Sequence, residues 1–600
     1  MVGSRQSWME ARGFLTRLAR DTRGNTLALM AIALFPLAGL VGGGLDISRM
    51  YIVKTRLQHA CDAGALAGRK AMGGGTWAQD NNMPKAMADK FFDANYNRTA
   101  YGVSTVTSSF SENAGKVSGT ATADVPMTLM KIFGRRSETL TVTCDAEMRL
   151  PNTDVMFVLD TTGSMNDDDG NGTKKIDGLK VAVKCFFEIV ARLDTNAACV
   201  GGAPSGGTGN EVQIRFGFVP YATNANVGRL LKPEWFADSW TYQSRKLANT
   251  PSGSWGNWSS WDSARCSDIP DSTEARQYEV SGSGWNCSYR YRNWSGTAAQ
   301  WKYGAISQNI APLKNGNDWN ASYTLPIGMS GTQKTINWDG CVEERATVRQ
   351  ATYSPIPSGA KDLDIDQVPN SAETKWGPVL PDMIYTRKTT ERGSGGFSLP
   401  EIASTTAIYT NESGYYCPPA ARKLQKWTNA SDFNTYVDAL TPSGNTYHDI
   451  GLLWGARLMS PTGIFASENA LTPKGGEIER HLIFMTDGDT CTGTGNYTAY
   501  GVAWFDRRQT DVSTAPTDGC TDTGTLTTQV NARYTALCTA VKNKNITLWV
   551  VAFGNLATTT EDRLEACASS GRYFKATNSA DLQLTFKKIA DQISQLRLTK

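Results

Sequence analysis

A chain of 600 residues is too long to bury itself in one hydrophobic core, so two or three domains are expected. Its 60 basic and 57 acidic residues leave a net charge of +3, and a pI near 8.1 is too mild to argue for a nucleic-acid partner. Three histidines (His59, His448, His481) leave little for acid–base or zinc chemistry, and 12 cysteines without a C-x-x-C pair read as disulfides made in an oxidising compartment.

Residues 1–26 carry Arg5, Arg12, Arg17, Arg20 and Arg23 and are expected to stay in the cytoplasm. From Leu27 to Leu45 no residue is charged. At 1.5 Å per residue such a run nearly spans a hydrocarbon core of ~30 Å. The arginines ahead of it favour an inside N-terminus, with residues 50–600 outside the cytoplasm. A cleaved signal peptide is the rival reading, but the apolar run is long, no clear A-x-A site follows and the helical pattern runs on. Nothing breaks a helix before the glycines at 73–75, so residues 27–72 read as one helix that starts in the membrane and leaves it.

The stretch RGNTLALMAIALFPLAGLVGGGLDISRMYIVKTRLQHACDAGALAG, about residues 20–72, resembles the N-terminal segment of TadE/TadG-type proteins of the Tad (Flp) pilus machinery. LQHACDAGALAG is its most specific part. The resemblance implies a pilus-assembly or surface role at a bacterial cell membrane. Gly24 stands where prepilins are cleaved, but Leu29 occupies the position where processed pilins carry glutamate. That implies a retained, single-pass anchor. Residues 73–150 alternate in VSTVTSSF, KVSGTATADVPM and SETLTVTCDAEMRL, which predicts a small strand-rich module, either a spacer or a pilus contact.

Residues 151–600 follow a different pattern. In DVMFVLDTTGSMN, the apolar run Val155–Leu159 reads as a strand buried on both faces, ending in Asp160. Thr162 and Ser164 follow at alternate positions, so a carboxylate and two hydroxyls reach a loop at the carboxyl end of a central strand, where open α/β sheets place ligands. This all-oxygen, weakly charged set suits Mg²⁺ better than a caged Ca²⁺ or a thiolate metal. A helix over 174–194 and the strand VQIRFGFVPYA come next. Residues 231–430 then interrupt the pattern with tryptophan-, Ser- and Gly-rich sequence, expected to be short strands and loops stapled by Cys266, Cys287, Cys341 and Cys417. Those tryptophans are expected to serve the insertion's own core more than an outside ligand. The pattern resumes with Thr446 ahead of a helix, HLIFMTD ending in Asp487, a helix around 525–544, the strands ITLWVVAFG and RYFKAT, and a closing helix over 580–597. Strands alternating with helices predict a doubly wound parallel sheet. Cys538 with Cys567, and Cys491 with Cys520, are the expected disulfides of this part.

The D-x-T-G-S run, with Thr446 and then Asp487 in order behind it, resembles the metal-ion-dependent adhesion site (MIDAS) of von Willebrand factor type A domains. The resemblance implies an α/β, Rossmann-like fold and a Mg²⁺ (or Mn²⁺) site made by Asp160, Thr162, Ser164, Thr446 and Asp487. It also implies binding of a protein partner whose acidic residue completes the ion's shell, without catalysis. Asp167, Asp169, Asn171 and Gly172 have the early spacing of a calcium loop, but Gly178 stands at the twelfth position where such loops carry glutamate. A further Ca²⁺ and a plain acidic turn are both open there. Two other functions compete: a magnesium-chelatase-like type A subunit of an ATPase complex, and a secreted hydrolase with its site in the insertion. No G-x-S-x-G or H-E-x-x-H supports the second.

Overall fold

The computed structural model describes residues 25–72, 77–97, 100–113, 116–148, 152–192, 213–386, 404–409, 414–473, 477–594 and 596–599. The chain divides into two compact units. One contains the residues up to 149 together with the C-terminal 594–600, and the other runs from 150 to 593 apart from 193–196. The arginine-rich residues 1–24, including Gly24, lie outside the described residues.

In the first unit, helix α1 (Asn25–Met72) runs through Pro36 without a break. Over Ile32–Ala71 it is long and apolar enough to cross a membrane. Its later turns present Val53, Leu57, Ala60 and Ala65, all fully buried, to a three-stranded antiparallel sheet of β1 (Thr105–Asn113), β2 (Lys116–Pro126) and β3 (Ser137–Met148). Helix α2 (Gln79–Asn95), which the strand-rich reading did not foresee, packs on α1. Close approach needs a small residue here: a Cβ on Gly64 would lie 2.4 Å from the Phe110 ring, and one on Gly68 2.9 Å from Ala88. Cys61 and Cys144 are disulfide-bonded. The closing helix predicted to reach 597 instead stops at Ile593, and Leu596–Thr599 pairs antiparallel with β3 as a fourth strand. The main-chain edge of β3 thereby gains a ladder partner, which an amphipathic pattern cannot foretell.

The second unit is built on six strands: β4 (Thr153–Asp160), β5 (Ile214–Tyr221), β6 (Arg422–Gln425), β7 (Glu479–Thr486), β8 (Ile546–Phe553) and β9 (Tyr573–Ala576), in the order β6-β5-β4-β7-β8-β9. Five are mutually parallel, while β6 joins β5 antiparallel. That edge strand comes from inside the stretch read as an insertion, so the expectation of a wholly parallel sheet is corrected at one edge. Side chains alternate across a strand, and neighbours on β4 show both faces covered. The Phe157 ring meets Phe186 of α3 (Lys175–Arg192) at 5.2 Å and Phe586 of α8 (Ser579–Ile593) at 6.4 Å. Val158 faces α5 (His448–Met459) instead, where a Cβ on Gly455 would fall 2.3 Å from its methyl. One turn earlier, Gly451 seats α5 on Tyr221 with the same closeness, at 2.5 Å. Every residue of α5 is buried as a result, and the loop before it is carried to the end of β4.

Residues 231–386 form short strands, the longest pair being Ser239–Leu247 with Trp301–Asn309. Their core is continuous with that of the sheet: Trp376 packs on Trp454 of α5 at 5.5 Å, and Trp235, Trp301 and Trp338 are buried. A second group of rings stays outside. Arg292 lies between Trp255 and Trp258, Arg290 between Trp258 and Trp261, and Trp285 is 72% exposed. The disulfides Cys266–Cys287, Cys341–Cys417, Cys491–Cys520 and Cys538–Cys567 are formed, the last with its Cα atoms 5.0 Å apart. Cys185 is also disulfide-bonded, to a residue outside those described.

Candidate metal centre

Strand β4 is buried along its whole length, so it delivers Asp160 to the sheet edge without contact with water. One Asp160 oxygen accepts the Thr162 backbone N–H at 2.8 Å and turns the chain sharply. The other accepts the Thr486 hydroxyl at 2.7 Å and the Tyr221 hydroxyl at 3.4 Å. The Thr162 and Ser164 hydroxyls are 3.1 Å apart, and Ser164 donates to Asp487 at 2.8 Å. Four of the five residues singled out in the sequence thus lie in one connected group spanning the ends of β4 and β7. The fifth, Thr446, is buried on a loop stitched to this one. Gly163 N–H donates to Gly444 at 3.0 Å and Ser443 N–H to Thr161 at 2.9 Å, while the Thr446 backbone exchanges bonds with Cys491. Among the described residues the Thr446 hydroxyl is not part of the Thr162–Ser164–Asp487 chain of bonds.

The electrostatics are those of too much negative charge. Burial, and then repulsion from Asp487, push Asp160 up to about 7, against the hydrogen bonds from Thr162 and Thr486. Burial also raises Asp487, and the Lys175 ammonium 3.0 Å away works against that rise. Lys175 opens α3, immediately after the acidic turn, and was not anticipated in the sequence, where it looks like any surface lysine.

Two further residues were missed for the same reason. His448 receives or donates bonds at both ring nitrogens, to Thr486 at 2.9 Å and Thr490 at 3.0 Å, and Thr486 in turn holds Asp160. Burial pushes His448 down to about 3, so the ring is neutral and acts as a strut. Tyr221 on β5 is the other. The only sequence signal for either was position: each lies at the carboxyl edge or at the start of the helix facing it.

The acidic turn is already employed. Asp169 accepts from Asn171 N–H at 2.9 Å and, at its second oxygen, from Ser579 N–H at 2.8 Å at the start of α8. Asp168 accepts from Gly170 and Gly172 at 2.7 and 3.1 Å. Ser579, through its side chain and backbone N–H, and then the Asn171 N–H hold Asp169 down at about 2. They make the turn a helix cap, a role that needs no ion.

Two buried carboxylates and two hydroxyls within one hydrogen-bonded group are hard oxygen donors throughout, and their charge, which Lys175 offsets only in part, fits a small divalent cation. A family described as "Putative Flp pilus-assembly TadE/G-like" matches residues 24–80. No curated protein matches. Among solved structures, the pilus adhesin SpaC of Lactobacillus rhamnosus GG is similar at 9% identity and TM-score 0.29, over 81% of this chain and 34% of that one. This chain therefore spans about a third of the adhesin's length. The vWF domain of the type V pili tip protein Mfa5 from Porphyromonas gingivalis is similar at 16% identity and TM-score 0.19, over 29% of this chain and 75% of that one. Proximal thread matrix protein 1 of the mussel byssus, in a form with a zinc-occupied MIDAS motif, is similar at 11% identity and TM-score 0.16, over 32% and 38% of the two chains.

Proposed function

We propose that this chain is a membrane-anchored, pilus-associated adhesion or assembly protein that binds a protein partner through a divalent cation at the edge of its α/β sheet. The cation is Mg²⁺ or Mn²⁺. Thr162 and Ser164 would hold it through their hydroxyls, Asp160 and Asp487 would balance its charge, and Thr446 would join from the adjoining loop. Bound there, the ion supplies an electrophilic position for an acidic side chain of the partner. The chain's own residues do the rest: Thr486 and Tyr221 aim Asp160, and neutral His448 aims Thr486. The role is coordination, and no acid–base or nucleophilic step is assigned to these groups.

The observation that carries this reading is the Ser164 hydroxyl, which ties Thr162 to Asp487 between two buried aspartates. Support for the anchor and the pilus setting comes from the apolar helix over Ile32–Ala71 and the family match at 24–80. Disulfides through both units favour residues 50–600 lying outside the cytoplasm. Titrating Mg²⁺ or Mn²⁺ into the purified chain should raise its melting temperature, and Asp160→Ala should remove the response while the protein stays folded. An equal rise in both proteins would place the ion elsewhere. Protease added to spheroplasts should digest residues 50–600, and protection alongside a cytoplasmic control would reverse the orientation.

A further inference from the structure

The loop between β2 and β3 is fastened to the apolar part of α1. Asp46, buried at the end of the uncharged run, accepts the backbone N–H groups of Thr128, Leu129 and Met130 at 2.8, 3.1 and 2.9 Å. Arg49, one turn on, donates to the Pro126 carbonyl at 3.0 Å and the Thr128 hydroxyl at 3.1 Å. From that clamp the loop climbs toward the N-terminal end of α1. Gly42 is buried beneath Leu129, where a Cβ would lie 2.5 Å from the leucine's own, and a Cβ on Gly39 would lie 3.3 Å from the Phe133 ring. Gly42 and, less tightly, Gly39 make the seat, because a side chain at 42 would push Leu129 away, whereas Gly43 and Gly44 have room for one.

Gly39 precedes Asp46 by two turns, so Phe133 sits about 10 Å along α1 into its uncharged run. Around the seat the surface is apolar: Leu40 is 78% exposed, Ile132 63% and Phe133 40%. Lys131, Arg135 and Arg136 are exposed beside them. Backbone polar groups are the obstacle to immersing any loop in lipid. Here Asp46 satisfies three of them. Ile132 N–H donates to Leu129, Gly134 N–H to Lys131, Arg135 N–H to Met130 and Met127 N–H to Arg136, all within the loop.

We propose that residues 127–136 form a wedge that enters the outer leaflet beside α1, with Ile132 and Phe133 in the acyl region and Lys131, Arg135 and Arg136 among the lipid phosphates. The wedge sets the depth at which this unit rests on the bilayer. It rests on the anchored reading above, since α1 must cross the membrane for Gly39 to lie within it. In the full chain reconstituted into phosphatidylethanolamine–phosphatidylglycerol vesicles, Ile132→Cys, Leu40→Cys and Ser109→Cys are each labelled with an environment-sensitive fluorophore. Each labelled protein is first checked for retained native disulfides by non-reducing mobility. Lipid carrying a nitroxide near the glycerol end should quench the label at 132 and at 40, and aqueous iodide should quench it only at 109. Quenching by iodide at 132 with lipid quenching retained at 40 overturns the wedge and leaves the anchor standing. Iodide quenching at both 132 and 40 overturns both.

Discussion

Two places in the sheet-bearing unit bury carboxylates, and the chain treats them differently. Beneath α5, Glu344 accepts both oxygens' worth of bonds from Arg457, at 2.8 and 3.0 Å, while Arg533 is bound to Asp362 and to Asp449, the latter at 3.1 Å. Arg345 is buried beside them, giving three acidic and three basic side chains in one network. Burial would raise Asp362, but Arg533 outweighs it and the group ends below the usual carboxylate range. At the carboxyl edge, among the described residues, Lys175 pairs with Asp487 and no ammonium pairs with Asp160, which burial and then Asp487 push up to about 7. Three guanidiniums face three carboxylates in the first network, although burial still lifts Asp449 to about 6, whereas at the edge two carboxylates face one ammonium among the described residues. The contrast distinguishes a cluster whose charges are matched from the edge proposed above to take a cation.

The largest expected effect breaks the closed network. Arg533→Met leaves Asp362 and Asp449 buried without their ion-pair partner and should cost about 3–5 kcal/mol in urea unfolding. A loss under ~1 kcal/mol would mean that water reaches the cluster and that the contrast with the edge is overdrawn.

At the edge, saturating Mg²⁺ should supply what the arginines supply below α5. At a hundredfold excess over its dissociation constant the wild type should gain about 2.7 kcal/mol, and Arg533→Met should gain as much if it remains folded. A gain confined to the wild type would show that the two regions are one coupled system.

Glu343 tests the boundary between the two cases. It accepts bonds from Trp240 and Tyr497 at 2.8 and 2.7 Å and from Arg508 at 3.2 Å, yet burial pushes it up to about 7, Asp506 adding to the rise and Arg508 opposing it. Its folded value is raised, so its contribution to stability is full below the unfolded value and is lost as pH rises toward 7. Unfolding free energy should fall by roughly 1–3 kcal/mol between pH 4.5 and 7 through this group. Glu343→Gln should flatten that part of the profile, and an unchanged slope would assign it to other groups.

The smallest effect sharpens the comparison. Lys175→Met removes the cation paired with Asp487, so the metal-free protein should lose about 1 kcal/mol and Mg²⁺ should bind roughly tenfold more tightly. Isothermal titration reads both affinities, and weaker binding in the variant would make Lys175 a support of the site and not a stand-in for the ion.

Much of this was legible in the residue order. The uncharged run at 27–45, the buried strands that deliver Asp160 and Asp487, and the pairing of Cys538 with Cys567 follow from periodicity and chain reach, which are local properties. What the sequence could not state were meetings of distant segments. The antiparallel edge strand Arg422–Gln425 and the final strand Leu596–Thr599 exist because open sheet edges were available to them. Lys175 beside Asp487, His448 behind Thr486, and Asp46 beneath the 127–136 loop join residues 312, 38 and 82–84 positions apart. Burial makes each of those polar contacts obligatory once the fold is formed. No local pattern marks them, because an isolated lysine, histidine or aspartate has the same preferences in water whichever partner the tertiary structure later brings to it.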